Sequence, residues 1–124
     1  MRVVPGNRQP CIADRHAGEI SRGPEFISGV AVALDAFKMT KQGQDTTRIG
    51  GFTPIQRFFF SVARIWQVKM KDEYLRYWIN NDPHSPPMWR VNGPLMNAPD
   101  FYSAFNVKPG EMMYLDNDKR IKIW

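Results

Sequence analysis

The residues whose types could carry out chemistry are concentrated between Asp82 and Arg90. This stretch holds a carboxylate at Asp82, an imidazole at His84 and a guanidinium at Arg90, and its prolines restrict the backbone. If the segment folds back on itself, His84 and Arg90 could both donate hydrogen bonds to one carbonyl or oxyanion. In a purely structural interpretation, Asp82 caps a turn, His84 bonds to the backbone and Arg90 pairs at the surface. The sequence therefore predicts a candidate site at residues 82–90, with both interpretations open.

Residue counts exclude several other kinds of site. The single cysteine, Cys11, rules out an internal disulfide and a four-cysteine zinc site. The two histidines, His16 and His84, are too far apart in sequence for a local two-histidine metal motif. No apolar run approaches the roughly 18 residues that a membrane span needs, and residues 1–25 contain no apolar segment of the kind found in signal peptides. A chain of 124 residues offers one domain at most, or a piece of one.

The net charge of +5 and the isoelectric point of 9.6 raise the possibility of a nucleic-acid partner. The basic residues are dispersed, however, and acidic residues flank the clusters at 69–71 and 119–122. Dispersed charge of both signs is typical of a solvated surface rather than of a phosphate-binding track. A non-catalytic basic helical module that binds nucleic acid or another protein remains the alternative function.

The strongest helix signal begins at Thr53, a hydroxyl cap followed by a proline and by Gln56 at the capping-box position. Apolar residues then recur at helical spacing over residues 55–78. The residue before Pro83 is biased away from the α region, so this helix should end near Asn80–Asp82. The pattern predicts one long amphipathic helix whose wide apolar stripe needs a large partner surface.

Shorter elements are predicted on either side. Apolar spacing predicts a helix over Gly29–Lys41, ended by Gly43. A second short helix, with Asn97 as its cap, is predicted over residues 97–105. Four prolines predict an irregular loop over residues 82–96, and the tail from 107 to 124 is predicted to be irregular with little strand. The predicted fold class is therefore mainly α.

Several of these segments together resemble one protein family. The stretch Gly51–Phe59, GFTPIQRFF, with Trp66 after it, is similar to a "GFTPEQRFF…W" segment of the neprilysin and endothelin-converting-enzyme family of zinc metalloendopeptidases. Asp82–Pro86 matches that family's D-x-H-S-P motif, and Arg90–Asn97 matches the next block, which ends in L-x-N. Trp124 falls where these enzymes end. The resemblance covers residues 29–124 in order and is strongest to bacterial oligopeptidase members.

The resemblance implies a fold, an activity and residue roles. The implied fold is the C-terminal part of a gluzincin-type catalytic domain, and the implied activity is zinc-dependent hydrolysis of oligopeptides. The histidine that matches His84 donates to the oxyanion of the tetrahedral intermediate, the arginine that matches Arg90 binds a substrate carbonyl, and the aspartate that matches Asp82 supports the histidine. Family members are often exported or periplasmic, but the compartment of this chain is left open.

The zinc-binding part of the family pattern is missing. The chain contains no H-E-x-x-H, and Ile20 stands where the fragment that begins at His16 would need its second histidine. Residues 1–28 are rich in Arg, Pro and Gly and are predicted to be a disordered or non-authentic segment. We therefore expect that this chain binds no zinc and is inactive alone. Its expected partners are an oligopeptide substrate and the missing upstream part of the catalytic domain, with no nucleic acid.

Overall fold

Six helices follow one another along the part of the chain that the structure, a computed structural model, describes: residues 24–122. They are α1 (Pro24–Lys38), α2 (Lys41–Gln44), α3 (Pro54–Ile65), α4 (Asp72–Asn81), α5 (Pro87–Asn97) and α6 (Pro99–Phe105). Between residues 24 and 122 the only β-pairing is an isolated bridge between Ile49 and Phe52. The predicted mainly-α fold class is confirmed. None of the described helices is both long and apolar enough to cross a bilayer.

Helix α1 begins at Pro24 instead of the predicted Gly29 and ends at Lys38. Of the atypical segment predicted over residues 1–28, residues 1–23 lie outside the described residues and residues 24–28 form the start of α1. Gly43, predicted to end this helix, lies inside the separate short helix α2, where Thr40 Oγ1 caps its amide at 3.1 Å. A side chain at Gly43 would collide with the carbonyl oxygen of Phe37, so the close approach of α2 to the end of α1 requires a glycine.

The predicted single long helix from Thr53 to Asn80–Asp82 is wrong, because residues 66–71 separate α3 from α4. The predicted start is confirmed, with the complete capping box between Thr53 and Gln56. Trp66 ends α3 with a backbone φ of −102° and ψ of 7°, and Asp72 opens α4 with an acidic first turn that suits the positive end of the helix dipole. Apolar residues continue at four-residue spacing across this break, so periodicity alone could not reveal it.

The predicted irregular loop over residues 82–96 is also largely wrong, because α5 begins at Pro87. A proline at the first helical position loses no hydrogen bond, since that amide would have no partner in any helix. Pro94 lies inside α5 and removes one backbone bond there, but it is buried next to the core residue Leu95. Asn97, the predicted cap of α6, is instead the last residue of α5.

Helix α6 begins one position later than predicted, with Ala98 at its cap, and ends at Phe105 as predicted. The side chain of Asn97 serves the tail, since its Oδ1 accepts a 2.6 Å bond from the Ile121 amide. From residue 107 to the end of the described chain, the tail is irregular, as predicted. Tyr102 fixes it from α6, because its hydroxyl accepts from the Leu115 amide at 2.9 Å.

A small core joins four of the helices. Phe59 of α3 is 1% exposed, and around it lie the buried residues Leu34 of α1, Leu95 of α5 and Phe101 of α6. The rings of Phe59 and Phe101 meet edge to face, with their centroids 5.4 Å apart. Helix α4 contributes no buried residue. The core therefore fixes α5 relative to α3, while α4 and the following loop lie at its edge.

Candidate functional site

The loop between α4 and α5 brings two of the three predicted site residues into direct contact. Asp82 ends α4, with its amide bonded to the carbonyl of Trp78 at 2.8 Å. One carboxylate oxygen of Asp82 accepts from the backbone amide of His84 at 2.7 Å and lies 2.8 Å from its Nδ1. The spacing of two residues allows both bonds, because an aspartate readily accepts from the amide two positions later.

Hydrogen bonding keeps Asp82 ionised. The bond from the His84 amide is the largest cause that lowers the pKa of Asp82 below its ordinary value, followed by the side-chain bond from His84. An ionised carboxylate can only accept, so the Nδ1 of His84 must carry a proton. The other ring nitrogen, Nε2, then faces away from Asp82 on a side chain that is 62% exposed. A protonated Nε2 in this position can donate to an anionic oxygen.

Arg90, the third predicted residue, lies in the first turn of α5 and is held on two sides. Its Nε donates to the carbonyl of Ser85 at 2.8 Å, and its guanidinium lies over the ring of Trp66, 4.7 Å from the centroid. The Phe26 ring lies 5.1 Å from the same guanidinium. These contacts engage Nε and place two aromatic rings against the guanidinium, which leaves the terminal nitrogens as the groups able to bind a carbonyl or carboxylate.

The three residues therefore lie on neighbouring segments, but only two of them are in direct contact. Asp82 and His84 touch, whereas Arg90 bonds to the loop backbone at Ser85. The positive charge of Arg90 nevertheless contributes, as a smaller cause, to the lowered pKa of Asp82. The structure thus places a carboxylate and an imidazole on the loop between α4 and α5, and a guanidinium in the first turn of the helix that follows.

Two contacts beside this loop are not predicted by the sequence pattern. Trp66 and Trp78 fall in the apolar stripe of the predicted long helix, yet Trp66 underlies the guanidinium of Arg90 and the indole of Trp78 donates to the carbonyl of His84 at 3.0 Å. Helical periodicity gives no signal for either contact, because it treats every aromatic residue as apolar surface. Tryptophan carries a donor on an otherwise apolar side chain, so it can serve both roles.

An open apolar groove of about 570 Å³ lies beside the loop, between the end of α3, the segment 66–71, α4 and the start of α5. Its lining includes Phe60, Trp66, Met70, Ile79, Met88 and Trp89. Other large apolar side chains of α3 and α4 are exposed, with Ile65 75% and Tyr77 62% accessible. Apolar surface of this extent is typical of a face that another part of a protein covers.

The described residues do not fit a zinc site. Among residues 24–122, no three His, Cys, Asp or Glu side chains come together in a way that could hold a metal ion. His84 is the only histidine in this range, and its Nδ1 is engaged by Asp82. A catalytic zinc site usually takes three protein ligands. The sequence fragment around His16 lies outside the described residues.

Relatives of known name match most of this chain. It is 32% identical to the neutral endopeptidase of Lactococcus lactis subsp. lactis over 96 residues, which are 77% of the chain and 14% of that protein. It is 40% identical to the neutral endopeptidase of Lactobacillus helveticus over 70 residues, which are 56% of the chain and 11% of that protein. The match to neprilysin-3 of Drosophila melanogaster is 33% identical and covers 77% of the chain and 12% of that protein.

Solved structures match the fold as well. The zinc metalloprotease Zmp1 of Mycobacterium tuberculosis in its open state superimposes with a TM-score of 0.78 at 35% identity, over 87% of this chain and 17% of that one. Its inhibitor complex gives a TM-score of 0.77 at 35% identity, over 86% and 16% of the two chains. This chain thus spans less than a fifth of the length of these relatives.

The match to a family is continuous along the described helices. The sequence model of Peptidase family M13 matches residues 27–121, which include all of α2 to α6 with Arg90 and the loop that carries Asp82 and His84. The neprilysin-like resemblance seen in the sequence is therefore confirmed, and with it the assignment to hydrolases of the metallopeptidase class. By sequence and by fold, this chain belongs to peptidase family M13.

Proposed function

We propose that this chain is the C-terminal part of the catalytic domain of a zinc endopeptidase that cleaves oligopeptides. The observation that carries the proposal is the pairing of Asp82 with His84 on the loop whose Ser85 carbonyl accepts a bond from Arg90. This loop lies within the region matched by the M13 family. In the proposed role, the loop supplies hydrogen-bond donors to a substrate whose peptide bond is attacked in the complete enzyme.

His84 is the proposed donor to the oxyanion of the tetrahedral intermediate. Asp82 holds its Nδ1–H, so a proton on Nε2 gives an imidazolium whose free donor points away from the carboxylate. A donor placed where negative charge develops lowers the barrier, and the loss of one such donor typically costs about 10²- to 10³-fold in rate. The exposure of the His84 ring supports this role, because a substrate can reach it.

Arg90 is the proposed ligand of a substrate backbone carbonyl. Its orientation is restricted before any substrate arrives, because Nε bonds to the Ser85 carbonyl and the guanidinium plane lies over Trp66. A restricted side chain loses less conformational freedom on binding than a free one. The carbonyl that it binds is present in the ground state and in the transition state alike, so Arg90 should contribute mainly to binding.

Zinc, the activated water and the general base belong, in this proposal, to a part of the catalytic domain that lies upstream of these residues. The chain alone should accordingly be inactive. The apolar groove and the exposed Ile65 and Tyr77 support the proposal, since they offer a surface for that upstream part to cover. The basic-module alternative receives no support from the relatives.

Residues 1–26, which precede the M13 match, are proposed not to be authentic family sequence. The start of the M13 match at residue 27 supports this boundary, as does the change of composition near residue 28. Sequencing of the coding DNA tests it. An H-E-x-x-H helix encoded upstream in another reading frame is the expected result, and a verified native start at Met1 contradicts it.

A chimeric enzyme tests the proposed function. Residues 24–124, which keep α1 whole, replace the matching segment of the Lactococcus lactis neutral endopeptidase, and hydrolysis of a quenched fluorescent oligopeptide is measured. We expect zinc-dependent activity in the chimera and none in the isolated chain. A matched chimera with His84→Ala should lose about 10²- to 10³-fold in kcat. A His84→Ala chimera with unchanged kcat would remove the basis for the proposal.

A further inference from the structure

Trp78 makes hydrogen bonds to both members of the Asp82–His84 pair. Its backbone carbonyl accepts from the amide of Asp82 at 2.8 Å. Its indole Nε1 donates to the carbonyl of His84 at 3.0 Å. One residue in the last turn of α4 thus binds the backbone at the start and at the end of the segment from Asp82 to His84.

These bonds fix the peptide group on either side of His84. The amide of His84 donates to the carboxylate of Asp82, while its carbonyl accepts from Trp78. With both neighbouring peptide groups bound, the Cα–Cβ bond of His84 has a defined direction, and Nδ1 comes within 2.8 Å of the carboxylate. Release of the carbonyl would leave the His84 backbone with the Asp82 bond alone.

The indole is itself held in place. The ring of Tyr74, one turn earlier in α4, meets the ring of Trp78 edge to face at 6.0 Å and an interplanar angle of 83°. Among aromatic side chains only tryptophan adds a ring N–H donor that cannot also act as an acceptor. A phenylalanine at position 78 would keep the contact with Tyr74 but could not bond to the His84 carbonyl.

We propose that Trp78 is a positioning residue for His84, and that its indole N–H holds the imidazole in the orientation in which Nδ1–H binds Asp82 and Nε2 faces outward. The catalytic consequence of this inference rests on the proposed function. The consequence for the imidazole itself does not, because the tautomer of His84 is a property of the folded loop. In this role Trp78 contacts no reacting atom of the substrate and acts only through His84.

Nitrogen NMR of the imidazole tests the inference on the complete 124-residue chain, at a pH where the ring is neutral. The His16→Gln variant assigns the two histidine signals. In the wild type, the bond to Asp82 should make the Nδ1–H tautomer dominant at His84. The Asp82→Asn variant gives the reference ratio of the two tautomers without a carboxylate, because an amide at this position can also donate to the ring.

Trp78→Phe is the test variant, and Trp89→Phe is the matched control, since it makes the same change at the start of α5. Trp78→Phe should lower the ratio of the Nδ1–H to the Nε2–H tautomer by about 2- to 10-fold, the range that one net hydrogen bond corresponds to. Trp89→Phe should leave the ratio at the wild-type value. An unchanged ratio in a folded Trp78→Phe chain, checked by circular dichroism, overturns the inference.

A second measurement needs no variant to fold. Deuterium exchange of the Trp78 indole N–H in the wild type should be slower than that of Trp89, because a bonded N–H must open before it exchanges. Equal exchange rates count against the bond on which the inference depends.

Kinetics in the chimeric enzyme then connect the tautomer to catalysis. Trp78→Phe should lower kcat by about 2- to 10-fold with KM nearly unchanged, since the residue orients a donor that acts in the transition state. If the chimera proves inactive, the proposed function fails while the tautomer ratio still decides the role of Trp78. If the chimera is active and the ratio does not move, the role of Trp78 fails alone.

Discussion

The side chain of Gln56 joins the start of α3 to the end of α6, because its Nε2 donates to the carbonyl of Ala104 at 2.8 Å. The Oε1 of the same amide accepts from the backbone of Thr53 at 2.9 Å and completes the capping box. One side chain thus satisfies a local and a long-range partner, 48 residues apart in sequence. Its two bonds can be removed separately, which makes Gln56 a sensitive test of the fold.

Substitution of Gln56 separates these two bonds. Gln56→Ala removes both, so the free energy of unfolding should fall by about 2 kcal/mol, at about 1 kcal/mol for each net bond. Gln56→Glu keeps an oxygen for the Thr53 amide but loses the donor to Ala104, and should cost about half as much. Urea denaturation with unchanged slopes measures both values. Equal losses in the two variants would mean that the bond to Ala104 contributes nothing.

The cap of α3 can be tested at Thr53. The amide of Gln56 donates to Thr53 Oγ1 at 3.2 Å, so Thr53→Ala should lower the free energy of unfolding by about 1 kcal/mol. Thr46→Ala, at an exposed position in the segment before α3, is the matched control and should change it by less than about 0.5 kcal/mol. The denaturation midpoints of the two variants are compared, and coincident midpoints would argue against Thr53 as the cap.

Two adjacent phenylalanines should respond very differently to truncation. Phe59 is 1% exposed at the centre of the core, so Phe59→Ala should cost about 3–5 kcal/mol or leave the chain unfolded. Phe60, its neighbour on α3, is 45% exposed, and Phe60→Ala should cost less than half of that. Thermal melts followed by circular dichroism compare the two. A greater loss at Phe60 would contradict the described core.

His84 and Arg90 should separate kcat from KM in an enzyme that contains this segment. His84→Ala removes a donor whose partner is charged chiefly in the transition state, so kcat should fall by about 10²- to 10³-fold. Arg90→Met should mainly raise KM and weaken inhibitors that reproduce the bound carbonyl.

The control for that experiment is Arg90→Lys. It should not fully restore binding, because an ammonium lacks the planar fork that bonds to Ser85 and lies over Trp66. If His84→Ala and Arg90→Met lower the melting temperature while the folded enzyme keeps wild-type kinetics, the two side chains only order the loop.

The loop should open in acid. The His84 amide and side chain lower the pKa of Asp82 below its ordinary value of 3.8. The closed loop therefore binds a proton less readily than the open one. The contribution of ionised Asp82 to loop closure is fully present above pH 3.8 and is lost as the pH falls through the lowered pKa.

The chemical shift of the Trp78 indole proton, followed against pH, should show this step. Asp82→Asn should abolish it, because the amide does not titrate. A step of the same size in Asp82→Asn would assign the transition to another group, and circular dichroism over the same range distinguishes loop opening from global unfolding.

The local signals in the sequence were sufficient where a structure depends on neighbours along the chain. Thr53 and Gln56 predict the start of α3, because a cap is formed by residues three positions apart. The pair Asp82 and His84 lies two residues apart, and its contact follows from the reach of an aspartate side chain. The family resemblance was likewise visible in contiguous segments such as Gly51–Phe59, and the match over residues 27–121 confirms it.

Tertiary structure decided the features that depend on what a segment packs against. Apolar spacing continues through residues 66–71, yet the helix is interrupted there, where the Trp66 ring contacts Phe26 of α1. Pro94 opposes a helix locally, but α5 forms around it because Pro94 and Leu95 are buried. In a periodic pattern Trp78 counts only as an apolar residue, and only the folded loop brings the His84 carbonyl to its indole. Short-range hydrogen bonds are determined by sequence spacing. Burial and long-range contacts depend on the whole fold, so a local sequence pattern cannot predict burial or long-range contacts.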